Sequence, residues 1–214
     1  MTLRRPATQT RPRRCPAVPR VVAALALATL IDGSEAETAS AGPPDRIAAV
    51  ARPNVVVMLR HANAPGIGDP DGFRLQDCAT QRNLDQRGRT QAARLGAAWR
   101  AAGVRPTTVW SSAWCRCLET ARLMDLGPVT VLPLLNSFFG NSGSRERQTA
   151  QLSRFIDELD PRNGPYLMVT HQINISALSG HGAETGGGIL IELPVDGTPR
   201  RIWPLPAAVA SAID

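Results

Sequence analysis

The sequence predicts an α/β fold: a three-layer sandwich with a mainly parallel central sheet flanked by helices. Two observations carry this. Strand-like apolar runs alternate with segments of helical periodicity, and the first of those runs is apolar at every position, as a strand covered on both faces must be. The length of 214 residues suits one domain with extras, and 43% hydrophobic residues can supply a single substantial core.

The elements follow in order. Asn54-Val55-Val56-Val57-Met58-Leu59 reads as the first buried strand, preceded by a mobile leader over 37–52. A long loop punctuated by Pro65, Gly66, Gly68, Pro70 and Gly72 comes next. From Asp85 to Ala102, Ala92, Leu95, Gly96 and Trp99 recur at helical spacing, and Gly103 is a good stop. Residues 107–111 read as a second strand, 114–124 as a helix, and 129–132 as a short third strand. After a Gly/Ser/Asn-rich loop, Leu152, Phe155, Ile156 and Leu159 mark one face of a helix over 145–159. Residues 165–170 give a fourth buried strand, 174–178 a short helix, and 188–193 with 199–203 a hairpin around Asp196-Gly197. There is no internal repeat.

Composition removes several chemistries. All 24 basic residues are Arg, so Schiff-base chemistry and a complete Walker A loop are excluded. Three scattered His and four Cys leave little room for a zinc cluster. Aromatics at 4%, with one Tyr, argue against a base-stacking nucleic-acid platform. The net charge of +6 is concentrated at the start: the first 36 residues hold six Arg against Asp32 and Glu35, and without them the balance is +2. Those arginines precede Val21–Ile31, an apolar run too short to span a bilayer, and then Ala36 and Ala41 in small-residue contexts. The pattern is that of a secretory signal peptide over 1–36, with cleavage as late as 41, for a periplasmic or extracellular protein without stable membrane insertion. In an oxidising compartment Cys78 would pair with Cys115 or Cys117.

Ligands of open α/β sheets sit beyond the carboxyl ends of the strands. The first strand is followed by Arg60-His61, the second by Ser111-Ser112 with Arg116 one turn on, and the fourth by His171. Any one of these has a plain reading as a loop or cap residue. Together they make a phosphoryl-transfer set: a neutral imidazole can attack phosphorus, two guanidiniums can clamp its oxygens, and a second imidazole, if protonated, adds a donor. Such chemistry needs mainly positioning and charge, so no metal or other cofactor is expected.

The motifs support a family resemblance. Leu59-Arg60-His61-Ala62 resembles the Arg-His-Gly signature of the histidine phosphatase superfamily, with Ala for Gly. Leu84-Asp85-Gln86-Arg87-Gly88-Arg89-Thr90-Gln91-Ala92 resembles its Leu-x-x-x-Gly-x-x-Gln-Ala segment. Ser111-Ser112-Ala113-Trp114-Cys115-Arg116-Cys117-Leu118-Glu119-Thr120-Ala121 is similar to its Ser-Ser-x-x-x-Arg-x-x-x-Thr-Ala segment, and Thr170-His171 to its second histidine. The resemblance implies the phosphoglycerate mutase-like fold and catalysis by His61, Arg60, Arg116 and His171, with His61 as nucleophile. Asn63, Arg74 and Gln172 are further candidates for phosphate or substrate contact, and Arg82 could also reach an anion.

The general acid is the departure. In one branch of the family a Glu follows the third strand; here the segment is Leu134-Leu135-Asn136-Ser137. In the other an Asp follows the second His; here it is Gln172. Asp77, Glu146, Asp69 and Asp71 remain as candidates, and His181 reads as a loop residue. The function expected is an exported phosphatase acting on a small phosphorylated substrate. A non-catalytic phosphate-binding protein and a phosphomutase are the alternatives. The substrate and the oligomeric state are left open.

Overall fold

The structure, a computed structural model, describes residues 48–207. Four strands, β1 (Val55–Arg60), β2 (Thr108–Ser111), β3 (Val129–Val131) and β4 (Tyr166–Thr170), run parallel. β5 (Gly188–Glu192) lies antiparallel to β1, and β6 (Arg201–Leu205) antiparallel to β5. The sheet order is β3-β2-β4-β1-β5-β6. The parallel core and terminal hairpin expected from sequence thus form one mixed sheet.

The continuous apolar runs are explained by the layers. Side chains alternate across a strand, so Val55, Val57 and Leu59 join a cluster with Leu95, Ala98 and Trp99 of α1 (Gln86–Ala101) and Cys117, Ala121 and Met124 of α2 (Cys115–Met124). Val56 and Met58 enter the opposite cluster with Leu152 and Ile156 of α3 (Arg145–Asp157) and Ile175 of α4 (Gln172–Ser179). The leader expected over 37–52 is shorter at its described end. Val50 is buried in the first cluster with Ala49 and Ala51 against it, so folded structure reaches back at least to residue 48. The expected signal peptide lies outside the described residues. None of the helices among the described residues is long and apolar enough to cross a membrane.

The ends of the helices matter for the site. Asp85 caps α1, its Oδ1 accepting from the Gly88 N–H at 2.7 Å. α4 begins at Gln172, two residues earlier than periodicity suggested, so His171 is the cap position itself. β1, β4 and β2 are neighbours in the sheet, which brings their three carboxyl ends together.

Candidate active site

Backbone pairing places the first groups. The His61 N–H donates to the Thr170 carbonyl at 3.0 Å, and the Ser112 N–H to that of Val169 at 2.9 Å. His61 and His171 therefore face one another from adjacent strand ends, ring centroids 5.6 Å apart at 68°. Arg116, on the first turn of α2, is buried beside them.

Hydrogen bonding fixes both imidazoles. His61 Nδ1 lies 2.7 Å from the Ala62 carbonyl, which can only accept. The ring proton therefore sits on Nδ1, and Nε2 carries a lone pair. Burial, outweighing that hydrogen bond, and then the charges of Arg116, Arg60 and Arg82 lower the His61 pKa to about 3. His171 Nδ1 faces Arg116 Nη2 at 3.4 Å, and guanidinium only donates, so Nε2 bears the proton and directs it to Ser112 Oγ at 2.9 Å. Burial first, then Arg116, holds His171 well below its ordinary value. Sequence reasoning allowed a protonated second imidazole; both rings are neutral, because burial among arginines disfavours another cation.

Three arginines surround them. Arg60 Nη1 donates to Gln172 Oε1 at 2.7 Å and to the Ala183 carbonyl at 2.9 Å. Arg116 makes a two-point ion pair with Asp69, at 2.7 and 3.2 Å, with the two side chains 3% and 8% exposed. Arg82 donates to the carbonyls of Gly68, at 2.6 Å, and Ala64. Asp69 also accepts from the Arg82 N–H and from Trp114 Nε1, each at 3.0 Å. Desolvation would raise its carboxyl, but Arg116 and these hydrogen bonds hold it below the usual carboxylate range. Around the two neutral imidazoles, Arg60, Arg82 and Arg116 against Asp69 leave a charge of +2, and Arg145, also on the cavity lining, raises the total to +3. Arg60 Nε and Arg116 Nε are both buried with no hydrogen-bond partner. Unpaired buried donors in a cationic pocket are the conditions for binding an anion. The cavity beside them is about 740 Å³ and is lined by Arg60, His61, Asp69, Arg82, Arg116 and His171 among others.

Several sequence candidates do not meet there. Asn63 is a structural joint: its N–H donates to Gln91 Oε1 at 2.9 Å and its amide to Asp85 Oδ2 at 2.9 Å. Arg74 is exposed and paired with Asp77. Asp71, Asp77 and Glu146 do not line the cavity; its one carboxylate among the described residues is Asp69. Gln172 does line it, through Arg60. Arg82, only a weak sequence candidate, and Arg145, not singled out at all, also line it. Nothing local marks them among so many arginines. Ser112, read as a strand end, also holds His171, and it donates to Asn136 Oδ1 at 3.3 Å.

The remaining motif residues serve as ties. Thr120 Oγ1 accepts from the Ala62 N–H at 3.0 Å and donates to the Arg116 carbonyl at 2.7 Å, linking the segments that carry His61 and Arg116. Gln91 joins Asn63 to the Thr185 carbonyl. Cys78 is disulfide-bonded to Cys115, the neighbour of Arg116, and Cys117 is free and buried. Burial pushes the Cys117 thiol up to about 12. No group of three or more His, Cys, Asp or Glu suited to a metal occurs among the described residues.

Comparison with known proteins agrees with this architecture. The model of the histidine phosphatase superfamily (branch 1) matches residues 56–140, which carry three of the four motifs. No curated protein matches the sequence. The fold is similar to that of a mycobacterial glucosyl-3-phosphoglycerate phosphatase bound to VO3, at 18% identity over 72% of this chain and 99% of that one, TM-score 0.52. It is also similar to a phosphoserine phosphatase of Entamoeba histolytica, at 11% identity over 73% and 98%, TM-score 0.54. The protein histidine phosphatase SixA in complex with tungstate gives 17% identity over 72% and 97%, TM-score 0.50. The ordered motifs and the match over residues 56–140 agree: this part of the chain is similar to the histidine phosphatase superfamily.

Proposed function

We propose that this protein is a phosphatase that removes the phosphoryl group from a small phosphomonoester through a phosphohistidine on His61. The observation that carries this reading is His61 itself: a buried neutral imidazole whose Nδ1 proton is fixed on a carbonyl, so that Nε2 is nucleophilic, among three guanidiniums. The local +2 charge suits a phosphate dianion. In this reading Arg60 Nε and Arg116 Nε donate to its oxygens, and Nε2 attacks phosphorus opposite the leaving oxygen. Water then hydrolyses the P–N bond. His171, with Arg116 on one nitrogen and Ser112 on the other, steadies the transferring group. Asp69 is placed to orient Arg116 and to balance its charge, so a proton donor for the leaving group is not assigned to it.

The test is hydrolysis of p-nitrophenyl phosphate by the mature protein in the presence of chelator. The proposed chemistry uses no metal, so activity should persist and vanadate should inhibit it. H61A should lose about 10³-fold or more in kcat. Brief reaction with 32P-labelled substrate should give an acid-labile, alkali-stable label on the protein. Wild-type activity in H61A would sink the mechanism, and binding without label would favour a phosphate-binding protein. Export is part of the same proposal, supported by the basic leader and its apolar run.

A further inference from the structure

The cavity is larger than a phosphate requires, and its mouth differs chemically from its floor. At about 740 Å³ it falls within the roughly 300–1,000 Å³ of clefts that enclose a drug-sized molecule. The floor is cationic. The mouth carries apolar side chains beside the exposed Arg145: Ile67 and Phe73 come from the loop between β1 and α1, and Phe139 from the loop after β3. They are 91%, 37% and 61% exposed respectively. Six large hydrophobics are exposed among the described residues, and three of them converge on this opening. Single exposed apolar residues are ordinary, whereas a cluster around one cavity marks a binding surface. The two loops meet there, since a Cβ on Gly68 would lie 3.5 Å from the Phe139 ring. The Phe73 ring lies 5.9 Å from that of Trp114, which lines the wall between floor and rim.

Among the described residues the wall supplies no proton for a leaving group. Asp69 receives four N–H donors, two from Arg116 and one each from Arg82 and Trp114, and so acts wholly as an acceptor. The His171 N–H is committed to Ser112. An alcohol leaving unprotonated must be acidic. A phenol, with a pKa of about 10 as in Tyr, departs far more readily than an alcohol of water-like acidity, near 15.7.

We propose that the site takes aryl phosphomonoesters, with the phosphate on the arginine floor and the aromatic body held among Ile67, Phe73 and Phe139. This rests on the phosphatase reading and names its substrate class. The His61 Nε2 lone pair forms the P–N bond as the P–O(aryl) bond breaks. The electron pair leaves with the phenolate oxygen, which takes a proton from solvent. Water then cleaves the P–N bond, releasing phosphate and restoring the imidazole. The ring belongs either to a free aryl ester or to a phosphotyrosyl peptide.

The experiment compares kcat/KM for phenyl phosphate, 2-naphthyl phosphate, glycerol 3-phosphate and a phosphotyrosyl peptide. Phenol and 2-naphthol have similar acidity, so the naphthyl-to-phenyl ratio reads apolar contact. Burying a methylene-sized group is worth roughly fourfold, so the ratio should be about tenfold or more. Both aryl esters should exceed glycerol 3-phosphate by about a hundredfold. F139N should bring the ratio to within about twofold, and F139L should restore most of it. A peptide preferred over 2-naphthyl phosphate would identify a phosphotyrosyl source, and the reverse order a free ester. A wild-type ratio near one, or glycerol 3-phosphate cleaved at aryl rates, would overturn the aryl inference alone. No turnover of any ester, p-nitrophenyl phosphate included, would overturn the phosphatase reading with it.

Discussion

The chemistry of single residues is decided by what lies on either side of each imidazole. His61 gives its one proton to a backbone carbonyl, and His171 gives its own to a serine while an arginine donates to the other nitrogen. Neither ring can accept a second proton cheaply among three guanidiniums. For His61 the folded value of about 3 lies below the unfolded value near 6.5, so the unfolded chain binds more protons between them. The stability linked to neutral His61 is whole above about pH 6.5 and falls as the pH drops toward 3. His171 acts in the same direction. NMR of the two rings should show no titration between about pH 8 and 5, where a model histidine would titrate. An imidazole midpoint near 6.5 for His61 would contradict its described environment.

At the scale of elements, much of the family's signature turns out to be joinery. Asp85, the cap of α1, and Gly88 and Gln91 in its first turns all address Asn63, two residues after His61. A Cβ on Gly88 would come 2.0 Å from the Asn63 carbonyl oxygen. Gly96 makes the same allowance between helices, since its Cβ would lie 1.9 Å from the Met124 carbonyl oxygen at the end of α2. The alternative to glycine is therefore a shift of backbone against backbone. G96A should lower the unfolding free energy by about 2 kcal/mol despite its better helix propensity, a fall in Tm of several degrees. Thermal unfolding measures it, and an unchanged or raised Tm would show that α1 and α2 separate easily. The helical spacing of Ala92, Leu95 and Trp99 was readable because burial imposes it along the chain. That Asn63 is a joint was not, because its partners lie 22 and 28 residues away.

For the whole molecule, the Cys78–Cys115 disulfide binds the long loop after β1 to the start of α2. That loop carries Asp69, and Arg116 follows Cys115, so the bridge closes around the anion site. Closing a 37-residue separation is worth about 4 kcal/mol on chain entropy. The variant C78A/C115A should be destabilised by about 2–4 kcal/mol in urea unfolding. Thiol titration of a chain spanning residues 37–214 should find one group, Cys117, and only after denaturation. Three reactive thiols would mean that the bridge does not form.

The layers, the order of the elements and the strand-end positions of Arg60, His61, Arg116 and His171 were legible along the chain, because burial periodicity and strand ends are written locally. The sequence could not tell Cys115 from Cys117 as the partner of Cys78, because residues two apart point to opposite sides of a helix, and which side faces Cys78 is fixed only once the helix is docked. Nor could it single out Asp69 from four carboxylates or raise Arg82 above the other arginines. Those choices depend on which loop folds over the strand ends. Only the tertiary structure closes that loop, placing Asp69 on Arg116, Arg82 under Gly68, and Ile67 and Phe73 opposite Phe139 at the mouth.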